Sequence, residues 1–217
     1  MQSSLLIKDL QLFRQKDLLL CLNEQVNGGE ILTIMGPSGS GKSSLLNWLT
    51  GTLAHSFHAS GEVWLNGHNV SLLPTHLRQI GVLYQDALLF SHLTVGENIA
   101  FAMPKGNKKQ RREKVEHALE QVGLTGLANR HPDNLSGGQQ ARVALLRVLL
   151  SEPKAILLDE PFSKLDTQLR LDIRQQVFAQ IRQHQLPAIM VTHDHSDAQA
   201  ANGKVVTLNP QGLSHAR

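Results

Sequence analysis

The eight residues Gly36-Pro-Ser-Gly-Ser-Gly-Lys-Ser43 fit the pattern G-x-x-x-x-G-K-[ST]. An apolar run at 30–35 precedes them, and leucines follow at helical spacing at 45, 46 and 49. The pattern therefore lies between a predicted strand and a predicted helix. Glycines there let backbone N–H groups close on phosphates, and the helix N-terminus adds the positive end of its dipole. This arrangement predicts a phosphate-binding loop rather than a merely flexible Gly/Ser turn.

Each residue of this loop and the one after it is a predicted nucleotide contact. Lys42 is suited to reach the β and γ phosphates, and the Ser43 hydroxyl is suited to ligate Mg²⁺. The predicted contacts are Gly36, Pro37, Ser38, Gly39, Ser40, Gly41, Lys42, Ser43 and Ser44. The predicted ligands are therefore a nucleoside triphosphate and Mg²⁺, and the resemblance described below implies that the nucleotide is ATP.

The run Ile156-Leu-Leu-Asp-Glu160 is typical of a buried strand that ends in two acids. In a parallel sheet such acids lie at the carboxyl edge, where α/β proteins bind ligands. Asp159 is suited to hold Mg²⁺ through water, and Glu160 to orient and partly deprotonate a water for in-line attack on the γ-phosphate. A solvated strand end is the alternative, and the upstream phosphate loop disfavours it.

The remaining patterns alternate between helices and strands. Asn66-Gly67 between 62–65 and 68–70 predicts an antiparallel hairpin. Capping boxes at Thr94/Glu97 and Ser136/Gln139 predict two helix starts, and Gly123 is placed to end a helix over 108–122. A strand at 155–158, a helix at about 167–184 and a strand at 188–191 complete an α/β pattern, which predicts a mainly parallel sheet.

Composition excludes several classes of protein. The 217 residues, 41% hydrophobic, suffice for a globular core, and no apolar stretch approaches the roughly 20 residues of a membrane helix. No secretory signal is visible, and the single cysteine, Cys21, reads as a small buried apolar residue. A net charge of +3 does not imply a nucleic-acid partner. The basic run at 105–114 is interpreted as a solvated helix start, with a phosphate-binding patch as the alternative.

Leu135-Ser-Gly-Gly-Gln139 resembles the signature of the ATP-binding cassette (ABC) ATPases, and Gln139 precedes Asp159 by 20 residues, a spacing that the family shows. A capped helix start with two glycines is also a second anion site, although alone it would be an ordinary helix cap. The resemblance covers nearly the whole chain. It implies nucleotide contacts from the signature residues Ser136, Gly137, Gly138 and Gln139.

The same resemblance implies roles for four further residues. Phe13, 23 residues before Gly36, matches the position where the family stacks an aromatic ring on adenine; a core phenylalanine is the alternative. Gln85 resembles the Q-loop glutamine, which links Mg²⁺ and water to the membrane partner. His193 resembles the switch histidine, which contacts the γ-phosphate and steadies the catalytic glutamate. A metal at the His193/His195 pair is disfavoured because further ligands are lacking. Asp166 resembles the D-loop aspartate, but Lys164 replaces a usually small residue.

The fold implied is an α/β P-loop NTPase core with a mainly parallel sheet, an antiparallel β subdomain and a helical subdomain that carries the signature. Residues 1–217 would form one ABC ATPase domain, with the helical subdomain at about 87–152. Catalytic roles would fall to Glu160, His193 and Gln85, and metal ligation to Ser43, Gln85 and Asp159.

The function implied is ATP hydrolysis that energises a membrane transporter. Hydrolysis would occur in a head-to-tail homodimer bound peripherally to transmembrane permease subunits at the cytoplasmic side of the cell membrane. The segment 88–101 resembles importers of small solutes, which adds a solute-binding protein as an expected partner; no nucleic acid is expected. The alternatives are a non-transport ABC ATPase that acts on nucleic acid or ribosomes, for which the basic run is the only support, and a small P-loop kinase.

Overall fold

The computed structural model describes residues 3–165 and 167–208, and the backbone of 214–216. Its strands are β1 (Ser4–Arg14), β2 (Asp17–Asn27), β3 (Ile31–Met35), β4 (Phe57–Leu65), β5 (His68–Asn69), β6 (Ile80–Leu83), β7 (Ala155–Asp159), β8 (Ala188–Thr192), β9 (Val205–Leu208) and β10 (Ser214–Ala216). Its α-helices are α1 (Lys42–Thr50), α2 (Val95–Ala102), α3 (Lys108–Gln121), α4 (Gly137–Leu149), α5 (Thr167–Gln183) and α6 (His195–Ala201).

A four-stranded antiparallel sheet has the order β2-β1-β4-β5. Strand β1 alternates buried and more exposed side chains over much of its length, as a strand with one covered face does. The β4–β5 hairpin turns at Asn66-Gly67, whose φ angles of 52° and 78° are those a type I′ turn requires. The hairpin and the antiparallel subdomain predicted from the sequence are therefore confirmed.

A six-stranded sheet has the order β10-β9-β3-β8-β7-β6. Strands β3 and β8 are buried along their whole length, as expected of central strands of a parallel sheet. β3 runs parallel to β8 and β9, and β7 runs parallel to β8, whereas β10 is antiparallel to β9. The prediction of a mainly parallel sheet is confirmed.

The C-terminal end of α1 is held by a buried arginine. Arg78, 6% exposed, donates to the carbonyl oxygens of Trp48 and Leu49 in α1 and of Ser71 and Leu73. Carbonyls at a helix C-terminus have no partner within the helix, so the guanidinium satisfies groups that burial would otherwise leave unpaired. Burial lowers the pKa of Arg78.

Replacing Arg78 with Met is therefore expected to lower the free energy of unfolding by about 2–4 kcal/mol, because buried carbonyl oxygens lose their donors. Urea denaturation measures this, with Arg130→Met at an exposed position as the control. Equal stability of the two variants would contradict the assigned role of Arg78.

The helices α2, α3 and α4 share an apolar core. It is built mainly from Val95 and Ile99 of α2, Val115 and Leu119 of α3, and Val143 of α4. Both predicted capping boxes are present, at the starts of α2 and α4. Gly123 follows α3 with a φ of 71°, which confirms the predicted end of that helix.

Residues group into two compact units, the first comprising 1–80, 154–160 and 178–217 and the second 81–153 and 161–177. The assignment of residues 1–217 to one domain with a helical subdomain at about 87–152 stays a prediction. Cys21 is half-buried rather than buried, because it lies on the face of β2 opposite to the buried Leu20 and Leu22. Within the described ranges, no helix has the length and apolar character needed to cross a membrane.

Candidate functional site

Three adjacent strands of the parallel sheet bring the phosphate loop, the acidic pair and His193 to one edge of that sheet. Met35 at the end of β3 lies opposite Thr192 at the end of β8, and Asp159 at the end of β7 lies opposite Val191. The residues that follow these strands, Gly36, His193 and Glu160, therefore leave the sheet at its carboxyl edge. This is where open α/β sheets bind their ligands.

The loop from Gly36 to Gly41 requires glycine at defined positions. Gly39 and Gly41 have φ angles of 83° and 91°, which are strained for other residues, and Gly41 is the N-cap of α1. A Cβ at Gly36 would lie 2.8 Å from the Oγ of Ser40. That Oγ is buried and, among the described residues, has no hydrogen-bond partner. The Ser40 hydroxyl is thus a buried polar group of the loop that the described protein atoms leave unsatisfied.

Lys42 is the charged residue of this loop. Only 8% exposed, it donates from Nζ to the carbonyl oxygens of Gly36 and Pro37, at 2.7 and 2.9 Å. These two bonds hold the ammonium group inside the curve of the loop, because both acceptors belong to the loop itself. A cation fixed in a concave set of backbone groups is arranged to receive an anion.

A cleft of about 300 Å³ opens on this loop. It is lined by Arg14, Leu19, Ser38, Gly39, Gly41, Lys42, Ser43, Ser44, Phe57 and Glu160. Sequence reasoning missed Arg14, Leu19 and Phe57. Arg14 and Phe57 are cross-strand partners in β1 and β4, so only the strand register, and no local motif, shows that they lie together.

Phe13 precedes Arg14 in β1, and its ring contacts His58 instead of the cleft. Its ring stacks on the imidazole of His58, its cross-strand partner, with centroids 5.1 Å apart and planes 5° from parallel. Phe13 is not among the residues that line the cleft on the phosphate loop. Its contact with adenine therefore stays a prediction.

Glu160 and His193 are in contact. The Nδ1 of His193 lies 3.1 Å from Oε2 of Glu160, and the side chains are 64% and 26% exposed respectively. The backbone N–H of Glu160 donates to the carbonyl of Val191 in β8, and Glu160 has a φ of 45°, uncommon for a residue other than glycine. The backbone is thus held so that this carboxylate lines the cleft and meets the histidine.

Asp159 immediately precedes Glu160 at the end of β7. Burial raises the pKa of Asp159, the neighbouring Glu160 raises it further, and Lys42 opposes both. An ionised Asp159 is therefore less favourable in the fold than in water, and a bound cation would relieve this cost. Its carboxylate and the hydroxyl of Ser43 are hard oxygen donors, the type that Mg²⁺ prefers. The residues present thus fit a magnesium ion.

Asp159→Asn is expected to raise the melting temperature without Mg²⁺, because the amide removes an unfavourable charge. The pKa of Asp159 is higher in the folded protein than in the unfolded chain. The free energy of unfolding therefore falls as the pH rises from the pKa of an ordinary aspartate through the raised pKa of Asp159. Melting curves at neutral pH measure the effect, with exposed Asp172→Asn as the matched control. An unchanged or lower melting temperature for Asp159→Asn would contradict the electrostatic account.

The second unit contains the other predicted site residues that the structure describes. Gln85 is exposed and, with Gly137, lines a cavity of about 140 Å³ that also contacts Lys164. Lys164 forms an ion pair with Asp86, the residue after Gln85.

The signature segment starts helix α4. Ser136 caps the helix, and its hydroxyl accepts a hydrogen bond from the backbone N–H of Gln139. The side-chain oxygen of Gln139 in turn accepts a hydrogen bond from the backbone N–H of Ser136. Gly138 is buried, and a Cβ at this position would collide with the side chain of Leu169. A Cβ at Gly137 would meet nothing within 4 Å. Asp166 lies outside the described residues.

Comparison with known proteins identifies the family. A family model described as "ABC transporter" matches residues 19–163. The "Uncharacterized ABC transporter ATP-binding protein YnjD" of Escherichia coli K12 is 53% identical over 186 residues, which cover 84% of this chain and 85% of the relative.

Two import proteins are also similar. "Fe(3+) ions import ATP-binding protein FbpC 2" of Haemophilus influenzae Rd is 42% identical over 202 residues, 89% of this chain and 56% of its own. "Sulfate/thiosulfate import ATP-binding protein CysA" of Synechococcus elongatus is 41% identical over 186 residues, 85% of this chain and 53% of its own. The chain thus spans about half the length of these import relatives.

A solved structure has the same fold. It is titled "Dimeric structure of a post-hydrolysis state of the ATP-binding cassette MJ0796 bound to ADP and Pi" and aligns with a TM-score of 0.79 at 29% identity. The alignment covers 98% of this chain and 97% of that one. The predicted P-loop fold is confirmed, and the chain belongs to the ABC transporter family as one of its ATP-binding proteins, which are ATPases.

Proposed function

We propose that this chain hydrolyses ATP to energise the import of a small solute through a membrane permease. The observation that carries the proposal is the single cleft that combines a phosphate-binding loop, its inward-held Lys42 and the Glu160 carboxylate paired with His193. The names of the two import relatives support the direction of transport. The chain would sit peripherally at the cytoplasmic side of the membrane, and a solute-binding protein would complete the system.

The phosphates of ATP are received by the loop. Its N–H groups and the N-terminus of α1 donate to the phosphate oxygens, and the Lys42 ammonium adds a full positive charge. Arg14 supplies a second cation in the same cleft. Phe13 is proposed to meet the base. Ser43 and Asp159 would hold Mg²⁺, which neutralises charge on the β and γ phosphates when bound. Ligation of Mg²⁺ by Gln85 stays a prediction.

Glu160 is proposed as the general base. Its carboxylate accepts a proton from a water as the water oxygen attacks the γ-phosphorus and the bond to the β-bridging oxygen breaks. His193 holds the carboxylate in place, since its Nδ1–H can donate to Oε2 at the observed 3.1 Å. This requires the tautomer protonated at Nδ1.

A second copy of the chain is proposed to complete the site. The Ser136 hydroxyl and the N–H groups of Gly137 and Gly138 begin a helix, and a helix start of this kind attracts anions. In a head-to-tail dimer this segment, with Gln139 and Asp166, would cover the nucleotide bound by the other copy. The similar solved structure is a dimer bound to ADP and phosphate, which supports the proposal of a dimer.

An exposed apolar surface in the second unit is proposed to receive the permease. We define this docking surface by Leu88, Phe90 and Phe101, which are exposed by 59%, 37% and 68%. Exposed side chains of this size grouped together mark interaction sites in soluble proteins.

Two polar side chains, the buried Asn98 and the half-buried Arg147, fix the segment that carries the docking surface. Asn98, fully buried, exchanges hydrogen bonds with the backbone of Phe90 and also donates to the carbonyls of Leu93 and Thr94. Arg147 donates to the carbonyls of Ala87 and Leu88. The segment is therefore a preorganised binding surface rather than a loose loop.

Affinity capture from gently solubilised membranes tests this proposal. The double substitution Leu88→Asp with Phe101→Asp is expected to lose the co-purifying permease, because two charges enter an apolar interface. Leu72→Asp, at a fully exposed leucine of the first unit, is the matched control and should retain it. Equal recovery of the permease with both variants would show that the docking surface is wrongly assigned.

A further inference from the structure

The start of α3 forms a basic surface, which we define by Lys105, Lys108, Lys109 and Arg112. All four side chains are exposed. In the parts of the chain that the structure describes, none of them forms an ion pair. Lys108, Lys109 and Arg112 are spaced i, i+1 and i+4, so they share one side of the helix.

Charge is concentrated in this stretch. Residues 105–114 contain six Lys and Arg and one acid, a net charge of +5, whereas the whole chain carries +3. The rest of the chain therefore sums to −2, since +3 minus +5 is −2. The positive potential of the protein is a local feature, and an anionic partner would be attracted to this surface rather than to the chain in general.

An exposed aromatic ring lies beside the basic surface. Arg111 donates from its guanidinium to the carbonyl oxygen of Ala100, which ties the second turn of α3 to the last turn of α2. The next residue, Phe101, is 68% exposed and packs edge-on against Phe90 with ring centroids 5.0 Å apart. Cations and an exposed ring are thus joined in one rigid junction of two helices.

We propose that the basic surface and Phe101 together bind the anionic lipid headgroups of a membrane. Lys and Arg side chains donate to headgroup phosphates, and an exposed phenylalanine next to them can enter the boundary of headgroups and acyl chains. The inference goes beyond the proposed function, because it requires neither ATP nor a permease. Direct binding to lipid would hold the chain at the membrane surface before it meets its permease, and Phe101 would leave the lipid when the permease covers the docking surface.

A lipid surface fits these residues better than a nucleic acid does. Sequence-tolerant binding of single strands uses several aromatic rings on which bases stack. From residue 101 to residue 114 the chain contains one aromatic residue, Phe101. The neighbouring Phe90 packs edge-on against Phe101, so the two rings do not present parallel faces on which successive bases could stack.

Co-sedimentation of the full chain with vesicles tests the proposal, without permease or nucleotide. The probes are vesicles of phosphatidylcholine alone and of phosphatidylcholine mixed with phosphatidylglycerol. Binding is expected only to the mixed vesicles and should weaken as salt is raised, because ions screen exposed charges. Substituting all four residues of the basic surface with Gln should weaken binding about a thousandfold at low salt, at about 1 kcal/mol for each cation. Phe101→Ala should weaken it about tenfold.

A second fourfold variant controls for net charge. Gln at Lys8, Lys16, Arg130 and Lys154, all exposed, produces the same change from +3 to −1 and should leave vesicle binding near that of the wild type. Equal weakening by the two fourfold variants would overturn the proposal, and so would a wild type that fails to bind the mixed vesicles. Retention on RNA without vesicle binding would also overturn it and would assign the surface to nucleic acid. None of these outcomes alters the predicted ATP hydrolysis, so the two ideas fail separately.

Discussion

Glu160→Gln is expected to reduce the rate of ATP hydrolysis by about 10²–10⁴-fold while ATP binding persists. The amide keeps the shape of the side chain but cannot accept the proton of the attacking water. The His193 Nδ1–H can still donate to the amide oxygen, so the local geometry should survive. Phosphate release measures the rate.

The same variant should accumulate as an ATP-bound dimer. Hydrolysis is proposed to reopen the dimer, so blocking it holds two copies together around ATP. Size-exclusion chromatography with Mg-ATP detects this state, and Glu113→Gln at an exposed position of α3 is the control. A Glu160→Gln protein that stays monomeric with Mg-ATP, while the wild type hydrolyses it, would show that the role assigned to Glu160 is wrong.

Lys42→Ala is expected to weaken ATP binding by about 10- to 100-fold, because the loop loses its full positive charge toward the phosphates. The substitution also removes the donor to the carbonyls of Gly36 and Pro37, so the loop is less preorganised. Calorimetric titration with a non-hydrolysable ATP analogue measures the affinity.

The control for this change is Lys204→Ala. Lys204 pairs with Glu24 at a half-exposed site of the same unit, and such a surface pair contributes little. It should bind the analogue as the wild type does. If Lys42→Ala bound equally well, the phosphate loop could not be the principal anion site.

The parts of the fold that were predictable from sequence are those with local signals. The glycine pattern, the two capping boxes and the Asn66-Gly67 turn each depend on residues a few positions apart, and the structure contains all of them. The apolar runs that end at Met35, Asp159 and Thr192 predicted central strands because burial on both faces leaves no alternation.

The parts that were not predictable depend on contacts between distant segments. Arg14 and Phe57 enter the cleft through the register of β1 with β4, and neither carries a motif. The contact of Glu160 with His193 was expected from the family resemblance alone, because no local pattern shows that β7 and β8 are neighbours. Arg78 reads as an ordinary surface residue until the end of α1 is placed beside it.

The most direct test of the central claim is the capture of the tagged, otherwise unchanged chain from gently solubilised cells, followed by assay of ATP hydrolysis by what is recovered. We expect a polytopic membrane protein in matching amount and ATP hydrolysis that Glu160→Gln abolishes in the same complex. Recovery of ribosomes or nucleic acid without a membrane protein would contradict it.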